Sequence, residues 1–302
     1  MRSELQQNVL WCMVQPDMTG PGAVAGNKMK RSWLLLAVLL CGCRAPGITQ
    51  YAGYSVDNRH QAMGQEPRVQ MVVIHYTAEN NVDSLHILTT EKVSAHYLIP
   101  NPITAGAGSA DIQQLVPESQ VAWHAGQSSW QGMSHLNNIS VGIELVNRGY
   151  YRTAGGYRCD VYPAGQITVL TRLLRDIINR YHIPPQNIVG HSDIAPLRKQ
   201  DPGPCFPWQT LARQGLGAWP DPQRVTFWIA GRAPLQATDP TILMGLLHQY
   251  GYGPDEKASE SQQYTVIKAF QMHFRPWLVS GKADAQTEAI ARALLEKYGS
   301  LY

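Results

Sequence analysis

Two histidines stand where an apolar run gives way to a loop. His75 closes the run that begins at Val69, and His191 follows Asn187-Ile188-Val189-Gly190. Strand ends are where α/β folds hold their working side chains. Two imidazoles and one carboxylate form the usual donor set of a catalytic zinc ion that keeps a fourth position open. Asp201 lies ten residues past His191, beyond the stiff segment Asp193-Ile194-Ala195-Pro196, which can fold the loop back. The chain carries 10 His, so spacing alone permits other pairings.

These residues need elements to hold them. Val69–Thr77 is almost unbroken in its apolar character, as expected of a central strand covered on both faces. Ser140–Val146 reads as a second buried strand and Asn187–Gly190 as a third. Ala95–Ile99, Asp111–Leu115 and Val121–His124 read as short strands, and Val82–Lys92 as a helix. Asn101–Ala110 is a Gly/Pro/Ala loop. Ser128–Ile139 and Asn147–Pro163 read as loops. Ala164–Tyr181 predicts an amphipathic helix with Ile167, Leu170, Leu174, Ile177 and Tyr181 on one stripe, stopped by Pro184-Pro185. Strands, long loops and a helix in this succession predict an α/β layer fold.

Three segments carry a resemblance. They are Val73-Ile74-His75-Tyr76-Thr77-Ala78, Val141-Gly142-Ile143-Glu144-Leu145, and Gly190-His191-Ser192-Asp193-Ile194-Ala195-Pro196 running on to Arg198-Lys199-Gln200-Asp201-Pro202-Gly203-Pro204. In this order they resemble the zinc-dependent type-2 family of N-acetylmuramoyl-L-alanine amidases. The resemblance implies a central mixed β-sheet flanked by helices, as in peptidoglycan-recognition folds. It implies one Zn2+ per chain on His75, His191 and Asp201. It also implies Glu144 as catalytic acid/base and Lys199 as the cation beside the substrate carbonyl. His124 can be read as a third ligand in place of Asp201, but the family pattern favours Asp201. His96 and His124 are candidate cleft residues, on segments 93–97 and 121–126 that resemble the family's cleft, and Trp123 and Trp130 are candidates to stack on sugar or peptide. Asp193 is expected to order the loop around His191.

The N-terminal region reads as an address. Lys28, Lys30 and Arg31 precede a short apolar run from Trp33 to Leu40, followed by Cys41-Gly42-Cys43. The run is too short for a bilayer, which needs about 20 residues, and reads as an export signal ending in a lipobox. Cys43 is the expected lipidation site. Residues 1–28 are expected to be a start-site extension. Arg44, rather than Asp, after the lipid Cys suggests the periplasmic face of the outer membrane. Cys159 and Cys205 then remain as two thiols that can pair in an oxidising compartment.

The predicted organisation is a leader and lipobox over 1–43, a tether over 44–66, a catalytic domain over 67–218, a linker over 219–236 and a helical bundle over 237–300. The bundle's Ala269-Phe270-Gln271 and the turn from Gly281 through Asp284 to Thr287 resemble a peptidoglycan-binding module. Apolar residues at 44% and charged residues at 16% exclude a disordered or fibrous chain. A net charge of +3 gives no support for nucleic-acid binding. The partners expected are peptidoglycan, muropeptides and, through the lipid, a membrane; no protein partner is required. A non-catalytic recognition protein of the same fold and a zinc peptidase acting within the stem peptide are the competing functions.

Overall fold

The computed structural model describes residues 47–102, 110–253 and 257–299. The expected leader and Cys43 lie outside these residues, as do positions 103–109 of the expected Gly/Pro/Ala loop. The chain falls into two units, Met1–Met63 and Gly64–Tyr302. The first contains a hairpin of β1 (Ile48–Tyr51) and β2 (Tyr54–Asp57), where the sequence suggested only a tether. Gly53 turns the chain with φ +90°, and Tyr51 stacks on Tyr54 with ring centres 4.8 Å apart.

The second unit is built on a five-stranded sheet. It opens with β3 (Met71–Tyr76), then α1 (Asn81–Leu88), β4 (Tyr97–Ile99) and β5 (Gln113–Gln114). A small ribbon, β6 (Ser129–Trp130) and β7 (Met133–Ser134), precedes β8 (Ser140–Leu145). A second ribbon, β9 (Tyr150–Thr153) and β10 (Gly156–Cys159), precedes α2 (Ala164–Tyr181) and β11 (Ile188–Gly190). The sheet order is β11-β3-β8-β4-β5, parallel except for the antiparallel edge β5. This is the mixed sheet flanked by helices that the sequence implied.

Period-two alternation divides the sheet's faces. Val72, Ile74, Val141, Ile143 and Leu145 pack with Leu170, Leu174 and Ile177 of α2 on one side. Met71, Val73 and His75 of β3 alternate with that set, and so do Ser140, Gly142 and Glu144 of β8. One face of β8 is therefore apolar and the other carries Ser140, Gly142 and Glu144.

After β11 come the single turn α3 (His191–Ile194), α4 (Trp208–Ala212), α5 (Pro222–Ile229), α6 (Pro240–Tyr250), α7 (Glu260–Phe274) and α8 (Ala285–Tyr298). Asp239, Ser259 and Asp284 cap the last three with side-chain oxygens, which satisfies the free N–H groups at each start. These helices do not enclose a core of their own. Leu243, Leu247, Val266, Phe270 and Leu294 belong to one apolar cluster with Met71, Val73 and Val189 of the sheet.

Three expectations are corrected. Val121–His124 is irregular backbone rather than a strand, because its polar groups are held by side chains: Ser94 Oγ accepts from Trp123 N, and Asn137 Oδ1 from His124 N. The expected loop Asn147–Pro163 contains the β9–β10 ribbon, with Tyr150 stacked on Tyr157 at 4.9 Å. The expected linker 219–236 contains α5, capped by Asp221 with Pro222 in its first turn.

Candidate metal centre

β3 delivers His75 and β11 delivers His191 at its exit. Asp201 returns on the following loop. That loop lies directly on Gly190, where a Cβ would meet Pro202 Cδ at 2.5 Å. Ser192 N donates to Asp201 O at 2.8 Å, tying the segments of the second and third candidate ligands together. His75, His191 and Asp201 are all buried, and their ligand atoms lie within 4.8 Å of one another. Asp201 Oδ2 stands 2.9 Å from His75 Nδ1 and 3.1 Å from His191 Nδ1. Tetrahedral bonds of about 2 Å put neighbouring ligands about 3.3 Å apart, so the spacing fits a single ion.

The surrounding hydrogen bonds settle which ring nitrogens carry protons. Ser140 Oγ donates its one proton to Leu136 O at 2.6 Å, so it accepts from His124 Nε2 at 3.1 Å. Burial, then the neighbouring His75, push His124 well below the ordinary histidine range, so its ring is neutral and Nδ1 is an acceptor. His75 Nε2 therefore donates to His124 Nδ1 at 3.0 Å, which leaves a lone pair on His75 Nδ1. His191 Nε2 faces the carbonyl of Ala125 at 3.1 Å and donates to it, which turns Nδ1 toward Asp201.

Two ring nitrogens and a carboxylate oxygen thus converge as the donor set of a bound cation does. Burial, then the neighbouring His191, push His75 down to about 4 against the pull of Asp201, so near neutral pH its Nδ1 is free to bind a cation. Burial raises the Asp201 pKa, but His191 and His75 lower it further than burial raises it, so the carboxylate stays charged. A nitrogen, nitrogen, oxygen donor set of this kind suits Zn2+.

The ligands open into a cleft of about 400 Å³ lined also by Glu144, Lys199, His124 and Trp123. Glu144 Oε2 is buried without a hydrogen-bond partner. Burial, then Asp201, push this carboxyl up to about 8, against the charge of Lys199. Trp123 stands at the rim, 55% exposed.

Two expected cleft residues lie elsewhere. Trp130 is buried under the C-terminal helices, edge-on to Tyr250 and Tyr252, and donates to Gln186 O. His96 is fully buried at the start of β4, where its Nδ1 accepts from Gly142 N at 3.0 Å and its ring stands 5.8 Å from that of His124. Trp130 is taken up by aromatic packing and His96 by polar bonds to Gly142 and Gln120. His124 lines the cleft, but it bonds the far nitrogen of His75 and stands outside the three-residue cluster. Its ring lies on Gly142, where a Cβ would come within 2.4 Å. Sequence reasoning missed Ser140, although its place two residues before Gly142 on a polar face was a usable signal. Cys159 and Cys205 are joined in a disulfide with Cα atoms 5.9 Å apart, linking β10 to the segment just past Asp201.

Comparison with known proteins agrees with this geometry. Residues 65–204 match the profile of the family described as N-acetylmuramoyl-L-alanine amidase. The chain is 52% identical over 269 residues to N-acetylmuramoyl-L-alanine amidase AmiD of Escherichia coli K12, covering 88% of this chain and 98% of that protein.

The chain belongs to the type-2 N-acetylmuramoyl-L-alanine amidase family.

The amidase is also similar to the solved E. coli AmiD in complex with anhydro-N-acetylmuramic acid-L-Ala-D-γ-Glu-L-Lys. That match has a TM-score of 0.80 at 53% identity and covers 84% of this chain and 98% of that one. AmpDh3 of Pseudomonas aeruginosa in complex with an anhydromuramic pentapeptide matches with a TM-score of 0.73 at 38% identity, over 83% of this chain and 99% of that one.

Proposed function

We propose that this amidase hydrolyses the amide bond between N-acetylmuramic acid and L-alanine of peptidoglycan and muropeptides, with Glu144 and Lys199 as its catalytic residues. One observation carries the reading. Glu144 lies in the same cleft as the convergent His75, His191 and Asp201, with its Oε2 buried and free of partners. When bound, zinc supplies a Lewis acid that polarises the scissile carbonyl and makes water a stronger acid.

The residues divide the remaining work. Glu144 takes a proton from the water whose oxygen bonds to the lactyl carbonyl carbon. It then gives that proton to the L-alanine nitrogen as the C–N bond breaks, so the peptide leaves as an amine. Lys199 places positive charge where the carbonyl oxygen becomes an oxyanion. Its backbone N–H bonds Ala195 O at 2.9 Å within the ligand loop, so the loop that carries Asp201 also sets the place of Lys199.

The substrate reading extends to 1,6-anhydro muropeptides, supported by the anhydro ligands in the two solved relatives. Trp123 offers an exposed ring at the rim for a sugar or peptide face. The lipobox supports acylation at Cys43 and a place on the periplasmic face of the outer membrane. Among the described residues no helix is long and apolar enough to cross a membrane. The bundle over 237–300, read as a wall-binding module, gives a second foothold on the polymer.

Mass spectrometry of products from defined muropeptides tests the reading. Amidase action yields a peptide beginning with L-alanine and a peptide-free muramoyl sugar, and a chelator stops it. Cleavage between amino acids of the stem would mark a peptidase. No turnover by the zinc-loaded protein would mark a recognition protein.

A further inference from the structure

Asp193 is 1% exposed and carries a carboxylate two residues from His191. A buried carboxylate is tolerated only when donors surround it. It has three. Gly190 N donates to Oδ2 at 2.6 Å, closing the turn α3 on itself. The other two come from the C-terminal helical region. His273 Nδ1 donates to Oδ2 at 2.7 Å across 80 residues of sequence, and the Tyr252 hydroxyl donates to Oδ1 at 2.5 Å across 59.

Both distant donors are themselves held in place. The His273 ring is stacked against Trp208 at 3.8 Å and Phe274 at 3.9 Å, both nearly parallel to it. Its Nε2 is buried without a partner, so the ring's polar contact is spent on Asp193. Tyr252 sits edge-on to Trp130 at 5.2 Å and Phe270 at 5.7 Å, with its hydroxyl aimed at the carboxylate. The turn they hold starts with His191, and Ser192 in the same turn bonds the backbone of Asp201. Holding Asp193 therefore fixes the segment from which two of the three metal ligands are placed.

The geometry points to His273 and Tyr252 as positioning residues that set the zinc affinity of His191 and Asp201 through Asp193. The C-terminal helices are thereby a strut of the metal centre, whatever they bind outside. This rests on the reading of His191 as a zinc ligand. Lys268 gives a second contact of the same kind: its Nζ lies over the Tyr157 ring at 4.4 Å and the Tyr150 ring at 5.1 Å, bracing the ribbon that the disulfide joins to the ligand loop.

The test uses the full chain. His273→Phe keeps the aromatic stack and loses the donor, Tyr252→Phe loses only the hydroxyl, and His273→Asn returns an N–H close to the place of Nδ1. Zinc Kd is read by competition with a chromophoric chelator, alongside the Tm of the metal-free protein and the kcat and KM of the zinc-saturated enzyme. Supporting residues of metal ligands are worth about 10- to 100-fold in affinity. His273→Phe and Tyr252→Phe are each expected to weaken zinc about tenfold, with KM unchanged under zinc saturation, and His273→Asn to recover most of the loss. Unchanged Kd in folded His273→Phe and Tyr252→Phe overturns the proposal. A loss that His273→Asn fails to recover also overturns it, because the effect then lies in packing. If His273→Phe does not fold, Tyr252→Phe decides alone. His191→Ala in parallel reports on the ligand reading itself: undiminished zinc binding there defeats that reading rather than the strut.

Discussion

His75 and Glu144 are register partners on the adjacent parallel strands β3 and β8. Partners in register point to the same face, and neighbouring strands lie about 4.8 Å apart. A metal ligand and the carboxyl proposed for proton transfer are thus fixed side by side by the backbone ladder alone, before any loop closes. The apolar alternates Ile74 and Ile143 lock that register against α2, because a slip of one residue would turn both working side chains into the opposite core.

Glu144→Gln keeps the shape of the side chain and removes its base. It is expected to lower kcat by about 10²- to 10⁴-fold. Zinc binding should remain one per chain, because Glu144 stands outside the ligand cluster. Steady-state kinetics with metal analysis checks both halves. Loss of the metal together with the activity would place Glu144 among the ligands.

The same substitution carries a stability signature in the metal-free protein. Burial and Asp201 raise Glu144 from 4.5 to about 8. Across that window the folded protein keeps a proton that the unfolded chain releases. Stability contributed by this group therefore falls as pH rises from about 4.5 towards 8. Glu144→Gln removes the cost. Its Tm should exceed the parent's by clearly more at pH 8 than at pH 5, since a shift of this size amounts to about 4 kcal/mol across the window. Equal Tm differences at the two pH values would argue against the raised carboxyl.

Ser140→Ala deletes the oxygen that receives His124 Nε2. His124 then loses the bond that makes its Nδ1 the acceptor for His75, and the tautomer that presents His75 Nδ1 is no longer enforced. Zinc affinity is expected to fall about tenfold or more. Isothermal titration against a competing chelator measures it. An unchanged Kd would show that His75 keeps its tautomer without the relay.

Cys159 and Cys205 close a loop with a sequence separation of 46. A link of that size contributes about 2–4 kcal/mol by restricting the unfolded chain. Replacing both with Ser should lower Tm by several °C under oxidising conditions. Under a strong reductant the parent should approach the variant. Identical melting of the two oxidised proteins would show that the link adds nothing.

Much of this was legible in the sequence, and the rest was hidden for physical reasons. The strands bearing His75 and Glu144 stand out because a buried parallel strand must be apolar, so a charged or imidazole side chain inside it is conspicuous. The helix α2 shows in its 3.6-residue stripe. Asp201 was recognisable through its motif, while the proximity that makes it a ligand exists only in three dimensions. Trp130 and His96 misled because burial is a property of the partner element, and their partners come from distant sequence. The ribbon at Tyr150 lacked alternation, since its side chains are mostly exposed and its stability comes from cross-strand rings. The clamp on Asp193 was invisible because His273 sits among apolar residues of α7, where one histidine reads as part of a core stripe.

One zinc ion held by His75, His191 and Asp201 is what makes this chain an amidase. Titrating the metal-free protein with Zn2+ while following release of the L-alanine peptide from a muramoyl peptide tests it most directly. Activity should start near zero, rise in proportion to added zinc and level off at one equivalent per chain. Full activity without metal, or a zinc-saturated protein that leaves the muramoyl–alanine bond intact, would contradict it.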